Sequence, residues 1–181
     1  MNEGLPSEAC IIVGVEDSPA SRWALVWAIA EARLRRLPLV AVHVSRAPLH
    51  PSVEALPYDH TLFPDEVERG RDLVTRLFRD VAGGVPDETV IITRVGHPGH
   101  HLVDLAREKD LLVLGRGTRS WLSRLILPSA RRYCARNVRA TLVTVPPSPA
   151  ADKPEHAPGS SRLRSLWIRI LSSHADDAGL Y

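Results

Sequence analysis

Polar and glycine residues follow three short apolar runs, and residues of these types can bind a ligand. Glu16 follows the first run, Ser45 follows the run that ends at Val44, and Gly115–Thr118 follows a third. Ligands of an open parallel sheet bind outside the carboxyl ends of its strands, so these positions are the candidates. These positions form one site only if the apolar runs are strands whose carboxyl ends meet at one sheet edge.

Five apolar runs predict that arrangement, because they are rich in β-branched residues and do not alternate with polar ones. Continuous runs are typical of strands buried on both faces of a parallel sheet. The runs cover residues 9–15, 38–44, 89–93, 111–114 and 140–145. Helical patterns begin between them at Pro19, near Asp65, at Pro98 and near Pro128. The alternation predicts one doubly wound α/β domain with a five-stranded parallel sheet, which binds ligands where the strand order reverses.

Composition and charge favour one soluble domain. The 181 residues carry 23 Lys and Arg against 21 Asp and Glu, and 44% are hydrophobic. No stretch supplies the roughly 20 apolar residues of a membrane span, and residues 1–10 have neither the basic flank nor the apolar core of a secretory signal. Cys10 and Cys134 have no metal-ligand spacing. Two such thiols favour reduced, buried side chains in a cytoplasmic protein.

Three motifs, taken in order, resemble the universal stress protein family. They are Ile12–Ser21, then Val95–Pro98 with Leu102, Val103 and Ala106 after it, then Asp110–Gly115. The resemblance covers residues 9–146, which leaves residues 1–8 as a tail and residues 147–181 as a linker and short amphipathic helix. It implies a Rossmann-like fold of the adenine nucleotide alpha hydrolase type and a cytoplasmic stress-response protein. It also implies a homodimer formed through the last strand, Thr141, Leu142, Val143, Thr144 and Val145.

Some members of this family bind ATP through Gly-x-x-Gly, nine residues, then Gly-Ser or Gly-Thr, and this sequence keeps part of that pattern. Gly115 and Ser129 match, whereas Thr118 and Pro128 stand at the second and third glycine positions. Pro128 has no amide hydrogen to donate to a phosphate. The resemblance therefore implies weak ATP binding or none. Its candidate nucleotide-binding residues are Val15, Glu16, Val44, Gly115, Arg116, Thr118 and Ser129.

The resemblance also implies a role for most of these residues. Glu16 would bind the ribose, the Val44 backbone would contact the base, and Gly115 and Ser129 would contact phosphates. Arginine binds phosphate oxygens through paired donors, so an arginine of the following loop would partly replace the missing amides. The arginines available for this are Arg116, Arg119 and Arg124.

Three functions stay open at this point. The first is a non-catalytic regulatory protein with weak or no ATP binding, and the second is an ATP-binding protein with slow hydrolysis. The third is a module that binds anionic surfaces, because no acidic residue lies between Asp110 and Asp152 and the amphipathic segment 161–171 carries three arginines. Docking of that segment on protein is favoured over membrane attachment. Nucleic-acid binding is disfavoured, since few aromatic residues accompany the arginines.

Other residues give weaker indications of chemistry. His97 and His101 are four apart, a spacing that can present two metal ligands, but no nearby cysteine or acid completes a site, so no metal centre is predicted. Ser18 is predicted to cap a helix, and without a Gly-x-Ser-x-Gly elbow no catalytic residue is predicted. Trp121 lies in the loop after the fourth strand, where it would cover a ligand or join a dimer contact.

Overall fold

Five parallel strands lie between two layers of helices in the computed structural model, which describes residues 5–45, 63–116 and 130–146. The strand order is β3-β2-β1-β4-β5, so the predicted fold class is confirmed. The elements in chain order are β1 (Ile11–Gly14), α1 (Pro19–Arg35), β2 (Leu39–Ser45), α2 (Pro64–Ala82), β3 (Thr89–Val95), α3 (Pro98–Leu105), β4 (Leu111–Gly115), α4 (Ala130–Asn137) and β5 (Thr141–Val145).

Each face of the sheet has its own apolar core. Ile11 and Val13 of β1 pack with α1 and α2 on one face, whereas Ile12 packs with α3 and α4 on the other. All three side chains are fully buried, and burying each contributes about 2 kcal/mol. Because both faces of β1 are covered, its sequence is a continuous apolar run rather than an alternating one.

The helix boundaries follow from local chemistry. Ser18 caps α1 as predicted, since its hydroxyl accepts a hydrogen bond from the Ser21 amide at 3.1 Å, and Pro19 opens the helix. Gly83 ends α2 in the left-handed region with a φ of 81°, which glycine adopts without steric cost. Arg36 takes the same conformation after α1 with a φ of 55°, an uncommon one for a residue other than glycine.

At the amino-terminal edge of the sheet, Asp110 joins β4 to the segment before β1. Its buried carboxylate accepts hydrogen bonds from the Cys10 amide at 3.1 Å and from Nε and Nη2 of Arg107 at 2.8 and 3.0 Å. Arg107 also donates to the carbonyls of Pro6 and Glu8. Burial opposes ionisation of Asp110, but the hydrogen bonds from Arg107 and Cys10 outweigh it, so the pKa of this carboxyl lies below its ordinary value.

Both cysteines are free and fully buried, as the sequence predicted. Burial raises the pKa of each thiol to about 11, and the Asp110 charge adds to the effect at Cys10. A thiol with such a pKa is a poor nucleophile near neutral pH, so both cysteines act as small core residues.

Several predicted features lie outside the described residues. They are residues 1–4 of the N-terminal tail, the predicted helix start near Pro128, Thr118, Arg119, Trp121, Arg124, Ser129, and the linker with segment 161–171. Over residues 5–45, 63–116 and 130–146, no helix has the length and apolar character that crossing a bilayer requires.

Candidate functional site

The strand order reverses at β1, so the carboxyl ends of β1 and β4 are where a fold of this kind binds its ligand. The chain proceeds outward through β1, β2 and β3 and then crosses to β4 and β5 on the other side. Connections leave β1 and β4 toward opposite faces of the sheet, and the general rule for such folds puts the ligand crevice between them. The sheet brings five of the predicted residues to this edge, namely Val15, Glu16, Val44, Gly115 and Arg116.

Glu16 presents a carboxylate at this edge, beside the start of α1. Its Oε1 accepts a hydrogen bond from the Ser18 hydroxyl at 3.2 Å, and its backbone carbonyl accepts one from the Ser18 amide at 2.8 Å. The side chain is exposed. The helix start favours a negative charge there, and a carboxylate at this place can accept hydrogen bonds from sugar hydroxyls.

The peptide group between Val15 and Glu16 is held at both of its polar ends. The Val15 carbonyl lies 2.8 Å from Nδ1 of His43, which reaches across from β2. The Glu16 amide donates to the hydroxyl of Ser21 at 2.9 Å, and Ser21 is 2% exposed. Neither His43 nor Ser21 is among the predicted site residues. The available indication was a histidine inside an otherwise apolar strand.

His43 is itself confined by its neighbours. Its Nε2 lies 3.2 Å from the Ser45 hydroxyl, and a Cβ on Gly70 of α2 would come within 2.8 Å of its Cδ2. Because a carbonyl can only accept, the contact to Val15 is a hydrogen bond when Nδ1 carries the proton, and in that tautomer Nε2 accepts from Ser45. The Ser45 carbonyl in turn accepts from the Gly96 amide at 2.8 Å. A series of hydrogen bonds thus links the carboxyl ends of β3, β2 and β1.

Gly115 has a packing role at the end of β4. A Cβ at this position would lie 2.4 Å from the backbone oxygen of Ala20, so only glycine lets α1 pack this closely on β4. The next amide, that of Arg116, donates to the Val145 carbonyl at 2.7 Å. This amide is therefore committed to β5, and the exposed Arg116 side chain is what the residue can offer to a ligand.

The three clustered histidines have structural contacts. His97 caps α3, with Nδ1 accepting from the His100 amide at 3.4 Å, and His101 Nε2 lies 3.2 Å from the Val95 carbonyl. The His100 ring stacks on Tyr133 of α4 with centroids 4.4 Å apart. Across the described ranges, no group of three or more His, Cys, Asp or Glu residues is placed to hold a metal ion.

Comparison with known proteins decides the family. The model of the universal stress protein family matches residues 10–146. The chain belongs to this family. The universal stress protein Rv2005c of Mycobacterium tuberculosis is 28% identical over 157 residues, which cover 82% of this chain and 52% of that protein. Rv2623 of the same species is 32% identical over 131 residues, or 64% of this chain and 40% of that one. The chain thus spans about half the length, or less, of these relatives.

Solved universal stress proteins share the fold. UspA from Lactobacillus plantarum superposes with a TM-score of 0.56 at 20% identity, over 77% of this chain and 99% of that one. A universal stress protein in complex with cAMP gives a TM-score of 0.54 at 22% identity, over 79% and 100% of the two chains. Both likenesses extend over nearly the whole of the solved chains.

Proposed function

We propose that this universal stress protein is a non-catalytic, cytoplasmic regulatory protein that binds adenine nucleotides weakly, by the ribose more than by the phosphates. The observation that carries the proposal is the Glu16 carboxylate, which Ser18 holds beside the crevice between β1 and β4. A relative of the same fold is solved in complex with cAMP, which is an adenine nucleotide. A protein with these properties would report nucleotide levels rather than consume the nucleotide.

The glycine pattern that binds phosphates is incomplete in this sequence, and this supports both the weak affinity and the lack of catalysis. The Arg116 amide already donates to Val145 at 2.7 Å, Thr118 replaces a glycine, and Pro128 has no amide hydrogen. Phosphoryl transfer depends on positioning and charge stabilisation of the transferred phosphate. A site that holds mainly the ribose does not position that group.

Titration of ¹⁵N-labelled protein with adenosine, AMP and ATP tests the proposal by NMR. We expect dissociation constants in the millimolar range that differ little among the three ligands. Glu16→Gln should weaken binding about fivefold to tenfold, because a charged acceptor is lost at an exposed site. The neighbouring Asp17→Asn is the matched control, since Asp17 pairs with Arg22 at 3.0 Å and should leave binding unchanged.

Two other outcomes would change the conclusion. ATP binding at least about tenfold tighter than adenosine binding, with phosphate release above that of a blank, would favour an ATP-binding protein with slow hydrolysis. The absence of resonance shifts at millimolar nucleotide would contradict the nucleotide part of the proposal and leave a regulatory protein without this ligand.

We also propose that two copies pair through β5. This strand is at the edge of the sheet, and no other strand of the described residues pairs with its outer side. An apolar edge strand is usually covered, and pairing across a two-fold axis covers it. Thr144→Lys, at an exposed position of β5, should convert the dimer to a monomer in light scattering, whereas Ala135→Lys on α4 should not. A wild-type monomer would contradict this pairing.

A second candidate function, binding to an anionic surface, is favoured by α4. Arg132, Arg136 and the following Arg139 are exposed, and α4 contains no acidic residue. Binding through these side chains would weaken with salt. Vesicles containing phosphatidylserine should co-sediment with the protein at low salt, and Arg136→Glu with Arg139→Glu should abolish this. Arg71→Glu on α2 is the control, and an equal loss of vesicle binding in that variant would contradict a specific role of α4.

A further inference from the structure

We propose that His43, together with Ser21, is a positioning residue that fixes Glu16 and thereby makes the crevice prefer ligands with ribose hydroxyls. This inference rests on the nucleotide binding proposed above. It concerns the backbone that carries Glu16 rather than the contact of Glu16 with a ligand.

Both polar groups of the peptide between Val15 and Glu16 are used by side chains. His43 Nδ1 lies 2.8 Å from the Val15 carbonyl, and the Ser21 hydroxyl accepts from the Glu16 amide at 2.9 Å. A peptide group fixed at both ends cannot rotate without losing a hydrogen bond, which costs about 1 kcal/mol. The Cα of Glu16 is therefore set before any ligand arrives, and preorganisation of this kind increases affinity.

His43 and Ser21, which together form a clamp on this peptide group, are themselves held in place. Ser21 is 2% exposed and lies in the first turns of α1. The His43 ring lies against Gly70, where a Cβ would approach it to 2.8 Å, and a Cβ there would also come within 3.3 Å of Thr93 Cγ2. Ser45 lies 3.2 Å from the other ring nitrogen. The ring cannot turn without losing contacts on two elements, so its Nδ1 stays directed at Val15.

The clamp acts on the carboxylate, so its loss should affect only ligands that use the carboxylate. His43→Leu keeps an apolar side chain in the slot but removes the donor to Val15. The substitution should weaken the binding of adenosine, AMP and ATP by the same factor, since these ligands share the ribose. For 2′,3′-dideoxyadenosine, which lacks the 2′ and 3′ hydroxyls, binding should be unchanged by the substitution.

Four variants test the clamp against a merely structural role. We expect His43→Leu to weaken adenosine binding about fivefold, and His43→Asn to restore it to within about twofold, because the Asn amide can occupy the place of Nδ1–H. In protein that already carries Glu16→Gln, His43→Leu should not weaken adenosine binding further. Ser21→Ala should reproduce the pattern of His43→Leu and replaces it if that variant fails to fold. His101→Leu is the matched control, because it also removes a histidine contact to a strand-end carbonyl, 3.2 Å from Val95.

Spectra without nucleotide separate this inference from the proposed function. Long-range ¹H–¹⁵N correlations should show the His43 ring protonated at Nδ1, and the Glu16 amide resonance should move in His43→Leu and return in His43→Asn. An Nε2–H tautomer, an equal loss for dideoxyadenosine, or failure of asparagine to rescue would overturn the clamp. If wild-type protein binds no nucleotide, the proposed function and the ribose preference both fail, while the tautomer and the Glu16 amide still test the clamp.

Discussion

Replacing Asp110 with alanine is expected to destabilise the domain by about 4 kcal/mol. The carboxylate has no exposed side-chain surface and receives hydrogen bonds from the backbone and guanidinium of Arg107 and from the Cys10 amide. Alanine would leave a partly buried guanidinium and two backbone amides without their acceptor. Removing one partner of a buried ion pair costs about 3–5 kcal/mol because the remaining charge is uncompensated.

Urea unfolding followed by circular dichroism measures this loss. With a slope of about 2 kcal/mol/M for a domain of this size, the midpoint of Asp110→Ala should fall by about 2 M. Asp104→Asn is the control, because Asp104 is an exposed acid on α3, and its effect should stay within about 0.5 kcal/mol. A loss below about 1 kcal/mol in Asp110→Ala would refute the assigned role of this ion pair.

The same residue predicts a dependence on pH. Hydrogen bonds from Arg107 and Cys10 outweigh the effect of burial and hold the pKa of Asp110 below 3.8, the ordinary value. The folded state therefore binds this proton less readily than the unfolded state. The stabilisation is complete above the unfolded pKa and is lost as the pH falls through the folded pKa. In Asp110→Asn the unfolding free energy should decline less steeply below about pH 4, as measured by urea unfolding at a series of pH values.

Three further substitutions or reactions are expected to give defined results. Gly115→Ala should lower the unfolding free energy by about 2–3 kcal/mol, because the new methyl would meet backbone in α1, whereas Gly84→Ala, which meets nothing within 4 Å, should not lower it. Cys10 and Cys134, with pKa values raised to about 11, should react with a thiol reagent at pH 8 only after unfolding, and fast reaction of the native protein would contradict their burial. Ser18→Ala should cost about 1 kcal/mol in thermal unfolding through the lost cap, and an unchanged melting temperature would contradict that role.

The strands could be predicted from sequence because burial on both faces leaves a continuous apolar run, but pairing sets their limits. The first run predicts residues 9–15, whereas β1 pairs only over Ile11–Gly14. In β3 the run ends at Thr93, yet the ladder continues through Arg94 to Val95 against β2. Hydropathy reports which side chains are buried, whereas a ladder depends on backbone groups that every residue carries.

The candidate site could be predicted as a location and only partly as a set of contacts. The parallel sheet and the position of Glu16 follow from the apolar runs and the motif after the first of them, whereas the strand order comes from the structure. The His43 contact to Val15 joins residues 28 apart in the sequence and depends on the direction of one imidazole ring. Composition and spacing carry no information about side-chain direction. The committed amide of Arg116 is likewise visible only once β5 lies beside β4.

The central place of β1 in the sheet has a consequence for how the chain is made. One neighbour of β1 is β2, which follows within about 30 residues, but the other is β4, in which Leu111 pairs with Ile11 across 100 positions. During synthesis β1, β2 and β3 can associate while one side of β1 still has no strand beside it. Contacts this distant in sequence form slowly, and an unpaired apolar edge promotes aggregation. A ribosome-bound chain that stops before β4 should therefore depend on a chaperone.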